Sequence, residues 1–157
     1  MMKRLYTLVA LIMCVLLLSA CGGGETEQKT VDLGPVYDEL IGSFELPEMV
    51  VVPENRLERA FGVKSEDCAQ VVIALCADSV RADEIWLVEA VDEEAAQRIE
   101  ALAEARLEQR KGEMENYLPD QYAVLCDAQL IREGRYVALF VAPESKGMAD
   151  VFRSALG

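Results

Sequence analysis

The chain has 157 residues, with 15 Lys plus Arg against 28 Asp plus Glu and no histidine, a formal net charge of −13. That balance argues against nucleic acid and other polyanions as partners. The lack of histidine removes Ser-His-Asp and Cys-His catalytic arrangements, and with no paired Cys-x-x-Cys a zinc site is not expected.

Lys3 and Arg4 form a short basic start, and Leu5 to Leu18 is an almost unbroken apolar run. Its 14 residues fall short of the ~20 that a membrane-spanning helix needs. Leu18-Ser19-Ala20-Cys21 then reads as a lipobox, small residues leading to a cysteine whose thiol takes a diacylglycerol. Residues 1–20 are therefore expected to be a lipoprotein signal peptide, and Cys21 the lipidated residue. One acyl chain binds a membrane only marginally, whereas two, at ~0.8 kcal/mol per buried methylene, make a durable anchor. The expected place is the extracytoplasmic face of the cell membrane. Losing Lys3 and Arg4 with the signal leaves 13 basic residues against 28 acidic ones, a net charge of −15.

Residues 21–30, three glycines followed by polar and charged residues, read as a flexible tether, and residues 31–157 as a single extracytoplasmic domain. Leu33, Val36, Tyr37, Leu40, Ile41 and Phe44 recur at helical spacing, with Pro35 tolerated in the first turn. Val50 to Val52 is a short extended piece. Pro53 opens a second short helix carrying Leu57, Ala60 and Phe61, and Gly62 suits a left-handed cap with Val63 folding back behind it. Two apolar runs, Cys68 to Ala77 and Ile85 to Val91, predict a hairpin. Asp92 caps a long helix whose inward positions are Ala95, Ile99, Leu102, Arg106, Met114 and Tyr117, ended by Pro119. Arg106 interrupts the apolar stripe, so it either snorkels or pairs with an acid. Val124 to Ile131 and Tyr136 to Ala142 predict a second hairpin around Gly134, and Pro143 begins a last helix bearing Met148, Val151, Phe152, Ala155 and Leu156.

The expected fold class is α+β: a four-stranded antiparallel sheet from two strand-strand-helix units, with two short N-terminal helices. The strands are apolar on both faces. With the two long helices on one face, the N-terminal pair is expected to cover the other, a partner chain being the alternative. The long helix also outruns the strands, so its end near Gly112 should bend or project.

Cys14 leaves with the signal and Cys21 takes the lipid, so Cys68, Cys76 and Cys126 remain. Cys68 and Cys76 are eight apart on one strand, about 26 Å, too far to bridge each other. All three sit in apolar strands, either as small buried thiols or with one bridge from Cys126 to Cys68 or Cys76.

Leu46-Pro47-Glu48-Met49, Phe61-Gly62-Val63, Ala82-Asp83-Glu84-Ile85 and Tyr117-x-Pro119-x-x-Tyr122, behind a lipobox, resemble a family of small Gram-positive lipoproteins catalogued as a domain of unknown function (DUF4358-like). The resemblance spans roughly residues 31 to 156, implies one extracytoplasmic domain, and brings no activity with it. Asp83 and Glu84, at the mouth of the first hairpin, are the most exposed polar candidates for a ligand, and with Glu48 and Glu89 they would form a carboxylate cluster. The commoner role of such acids is to face water. No phosphate loop, Gly-x-Ser-x-Gly or calcium loop is present. The expected function is non-enzymatic, without metal or cofactor: a lipid-anchored module binding an envelope protein. The alternative is a small-molecule or cation receptor using the four acids.

Overall fold

Strands β2 (Cys68–Cys76) and β3 (Glu84–Ala90) carry Val, Ile and Leu on alternate faces, which makes both faces of any sheet they form apolar. The computed structural model, which describes residues 30–157, resolves that demand by covering both faces with helices. The signal segment, Cys21 and the tether up to Lys29 lie outside the described residues. Val31–Gly157 forms one compact unit.

The fold is α+β, and its sheet has five antiparallel strands in the order β1-β2-β3-β5-β4, with β1 at Met49–Val51, β4 at Gln129–Glu133 and β5 at Tyr136–Val141. Four strands were expected. The fifth is the Val50 to Val52 piece, which pairs its three residues with Ala74, Leu75 and Cys76 and so becomes an edge of the sheet. A three-residue strand carries too little alternation to declare itself in sequence.

Five helices are described: α1 (Leu33–Ser43), α2 (Glu54–Phe61), α3 (Glu93–Met114), α4 (Pro119–Cys126) and α5 (Ser145–Leu156). Asp32 caps α1 by accepting from Gly34 N–H at 3.1 Å, and Asp92 caps α3 by accepting from Ala95 N–H at 2.7 Å. Gly62, at φ 74°, closes α2 in the left-handed conformation, and Val63 behind it is buried. Gly134, at φ 57°, opens the two-residue turn that joins β4 to β5.

The helices are distributed differently from the expectation. Leu33, Val36 and Leu40 of α1 pack with Met148 and Phe152 of α5 on the face made by Ala74, Ile85, Leu87, Ala138 and Phe140. Leu57 of α2, Ala103 and Met114 of α3 and Leu125 of α4 pack on the opposite face, over Ile73, Trp86, Leu139 and Val141. The reason is the crossover. β3 and β4 are both antiparallel to β5, which lies between them, so they run parallel to each other and the α3–α4 connection must cross the face of β5. That face is then full, and α5 is left with the other. Every residue of β3 and of β5 is buried as a result.

Four further corrections concern the stretch between α3 and β4. Val124 to Cys126 is helical, the end of α4, and the strand begins at Gln129. Pro119 starts a helix at its first position instead of ending one, because its missing N–H is no loss there. The end of α3 does not project: Met114 is buried, Leu118 N–H returns to its carbonyl at 2.9 Å, and α4 folds back along α3. Tyr117, expected inward, is 84% exposed at that turn.

Candidate functional site

Side chains alternate along a strand, so Glu84 and Glu89, five residues apart on β3, project to opposite faces of the sheet. They cannot share a ligand, and the expected four-acid cluster does not form. Among the described residues no group of three or more acids or cysteines is placed to hold a metal ion. Each buried acid anchors its own network instead.

Glu84, 2% exposed, lies on the α3 face. It accepts from Trp86 Nε1 at 2.6 Å, from Arg106 Nε at 3.2 Å and from Arg106 Nη2 at 3.1 Å. The Arg106 guanidinium stands over the Phe61 ring, 5.4 Å from its centroid, and Phe61 meets Trp86 edge-on at 5.2 Å. Arg106 thus pairs with an acid, which settles the two choices its place in the apolar stripe left open. Asp83 is buried as well, not exposed: Arg81 grips it with Nε at 2.9 Å and Nη2 at 3.3 Å. Glu48 is exposed, and its carbonyl accepts from Ala77 N–H at 2.8 Å across the β1–β2 edge.

Arg81, Arg106 and Arg110 line one cleft of about 220 Å³, with Leu75 and Cys76 at the end of β2 and Glu84 at the start of β3. Arg110 donates from Nη1 to Glu113 at 3.0 Å and from Nη2 to the Arg81 carbonyl at 3.2 Å. Its Nε is buried and has no hydrogen-bond partner. A larger and more open groove, about 560 Å³, runs past Gly62, Lys64 and Leu102. Its facing charges, Asp67 and Arg98, already pair at 2.5 Å, and the hydrogen bond from Arg98 holds the Asp67 carboxyl below the usual carboxylate range.

Glu89, 2% exposed, lies on the α1 face and organises the opposite end of the sheet. Gln70 Nε2 donates to it at 2.6 Å and Arg135 Nη2 at 3.1 Å. Burial, with the Glu89 charge beside it, keeps the Tyr136 phenol above its ordinary pKa, so it stays protonated. The Tyr136 hydroxyl accepts from Val31 N–H at 2.9 Å, while Gln70 donates to the Val31 carbonyl at 2.9 Å and accepts from Leu33 N–H at 3.0 Å. The first residues of the domain are thereby fastened to β2 and β5.

Sequence reasoning passed over Arg81, Arg110, Gln70 and Arg135. Two spacings carried a signal: Arg81-x-Asp83 puts both side chains on one side of an extended segment, and Arg106 and Arg110 share one helix face at i, i+4.

Among the described residues Cys68, Cys76 and Cys126 are free. Cys68 and Cys76 stand at the two ends of β2, and Cys126 is exposed on α4, not in a strand as expected. Burial, then the charges of Asp67 and Glu54, push the Cys68 thiol up to about 11. At pH 8 iodoacetamide should therefore alkylate Cys126 well ahead of Cys68, because only the thiolate reacts. A peptide time course by mass spectrometry checks this, and equal rates would contradict the burial argument.

The architecture defines a class: a five-stranded antiparallel sheet held between two helical layers, with an acid–arginine network on each face. The chain belongs to the family described as a domain of unknown function, DUF4358, which matches residues 43–142. The matched region holds all five strands, α2 to α4 and the buried acids Asp83, Glu84 and Glu89, while α1 and α5 flank it. No curated protein and no solved structure matches the chain. No helix among the described residues is long and apolar enough to cross a membrane.

Proposed function

We propose that the protein is a lipid-anchored extracytoplasmic module, held through diacylglycerol on Cys21, that binds an envelope protein at the open edge of β1. The observation that carries this reading is the state of that edge. Val52 N–H bonds to Ile73 and the Glu48 carbonyl to Ala77, so residues 48, 50 and 52 turn their backbone toward β2. Met49 and Val51 therefore turn theirs outward, where no strand follows among the described residues. Val50 and Val51 are about half exposed, at 50% and 48%. An extended partner segment would add its own backbone hydrogen bonds there and rest apolar side chains on the two valines. Glu45, Glu48 and Glu54, all exposed around the edge, favour a partner segment with basic flanks.

The reading is non-enzymatic because the buried acids are occupied by arginine, tryptophan and glutamine donors, which leaves no paired carboxylate to act as acid or base. It also moves the interaction surface. Both sheet faces are filled from within the chain and α3 does not project, so neither supplies an interface.

The test is crosslinking in living cells of the lipidated protein, with a photoreactive residue at Val51 and, as control, at the exposed Tyr117. Capture of one recurring protein at Val51 and not at Tyr117 supports the reading, and Val51→Pro, which removes the outward N–H, should abolish it. Equal capture at both sites would sink it. Cys21→Ala should release the protein from the membrane fraction, and retention there would overturn the anchor.

A further inference from the structure

We propose that the cleft between the start of β3 and the middle of α3 binds a small soluble anion, of carboxylate or phosphate chemistry, through Arg81, Arg106 and Arg110. Four observations converge on this site.

The first is an unfilled hydrogen bond. Arg110 is pinned at both terminal nitrogens, by Glu113 and by the Arg81 carbonyl, and its buried Nε has no partner. A buried N–H without an acceptor is costly, and a turn of the Arg110 side chain toward the cleft would let an oxygen, most strongly an ionised one, complete it. The second is the concentration of guanidinium groups. Three of the 15 basic residues in a chain of net charge −13 line one cleft of about 220 Å³, beside Asp83, Glu84 and Asp78, whose Oδ1 accepts from Val80 N–H at 3.1 Å.

The third is how the local acids are used. Arg81 commits Nε and Nη2 to Asp83, and Arg106 commits Nε and Nη2 to Glu84. Those pairs hold the two guanidinium planes rigid and do not use Nη1 of either. Asp83 and Glu84 are thereby unavailable to a cation, so the ligand is opposite in sign to the one the acids suggest in sequence. Bidentate pairing that fixes an arginine while sparing a nitrogen is preorganisation for an anion.

The fourth is position and size. The volume is that of about seven waters, room for a small molecule and not for a chain of phosphates. The cleft opens at the Glu84 end of β3, whereas Val31 is fastened beside Glu89, about 17 Å along the strand. Resting on the proposed anchor at Cys21, and with the cleft at the end of β3 away from Val31, the source proposed is the soluble one.

The full-length protein in non-ionic detergent, labelled with ¹⁵N at arginine, offers a direct readout in the Nε–Hε resonance of Arg110. Titration with inorganic phosphate and, separately, with succinate should move that resonance along a saturating curve with at least one of the two. Phosphatidylglycerol added to the micelles should leave it in place. Arg110→Lys keeps the positive charge but removes Nε, and should weaken binding measured by calorimetry about tenfold. Arg81→Lys, which keeps one cationic donor for the buried Asp83 while removing the fork, should weaken it about threefold, and serves if the Arg110 variant does not fold. An Arg110 resonance that stays still with both anions, or drifts linearly together with the surface arginines, would overturn the site. Saturable movement with phosphatidylglycerol alone would overturn the soluble source.

Discussion

Arg106→Met should lower the stability of the domain by about 3 kcal/mol, the lower end of what breaking a buried ion pair costs, since Arg106 itself is 20% exposed. The loss comes from what stays behind. Glu84 would be left at 2% exposure with only the Trp86 indole N–H as donor, and the Phe61 ring would lose the guanidinium over its face. Glu84→Gln combined with Arg106→Met removes both charges and should recover most of the loss, because a matched neutral pair leaves no buried ion. Urea unfolding followed by far-ultraviolet circular dichroism reads both variants. A double variant no more stable than the single one would show that the network matters for shape and not for charge.

Phe152→Ala should cost about 3–5 kcal/mol, the range for emptying a buried aromatic site. Phe152 is fully buried, meets Phe140 edge-on at 5.9 Å and joins Leu33, Leu40 and Met148 in the layer that α1 and α5 build together. Val151, its half-buried neighbour on the same helix, should lose well under half as much on truncation to alanine. Since α1 and α5 depend on each other, amide hydrogen exchange in Phe152→Ala should rise first in those two helices and leave α3 protected. Uniform loss of protection would instead make the two layers a single cooperative unit.

Much of the fold was legible in the sequence because the period of the apolar residues and the caps agreed. Asp92 before a helical stripe, Gly62 after one, and the alternation through Val71 to Leu75 each placed an element that the structure contains. What escaped was decided by tertiary context. Val124-Leu125-Cys126 is an apolar run that suits helix or strand equally, and only the packing of α4 against α3 makes it helix. Which helices share a face follows from the parallel relation of β3 and β4, and strand order cannot be read from one chain's pattern.

The site was less legible. Asp83 and Glu84 were expected to be exposed and are buried, because their arginine partners come from the loop before them and from a helix 22 residues on, a pairing no local pattern announces. Parity along β3, in contrast, already separates Glu84 from Glu89 in the bare sequence.

The fastening of Val31 also has a mechanical side. Any pull transmitted through the residues before it arrives at a backbone whose N–H is held by Tyr136 and whose carbonyl is held by Gln70. Tension is therefore handed sideways to β2 and β5 before it reaches α1, and from there it spreads through the hydrogen-bond ladders of the sheet. A helix pulled from its end unzips turn by turn, whereas a ladder shares force among many bonds at once. Single-molecule pulling from the N-terminal side should accordingly show one high rupture event for the whole domain, with no early step from loss of α1.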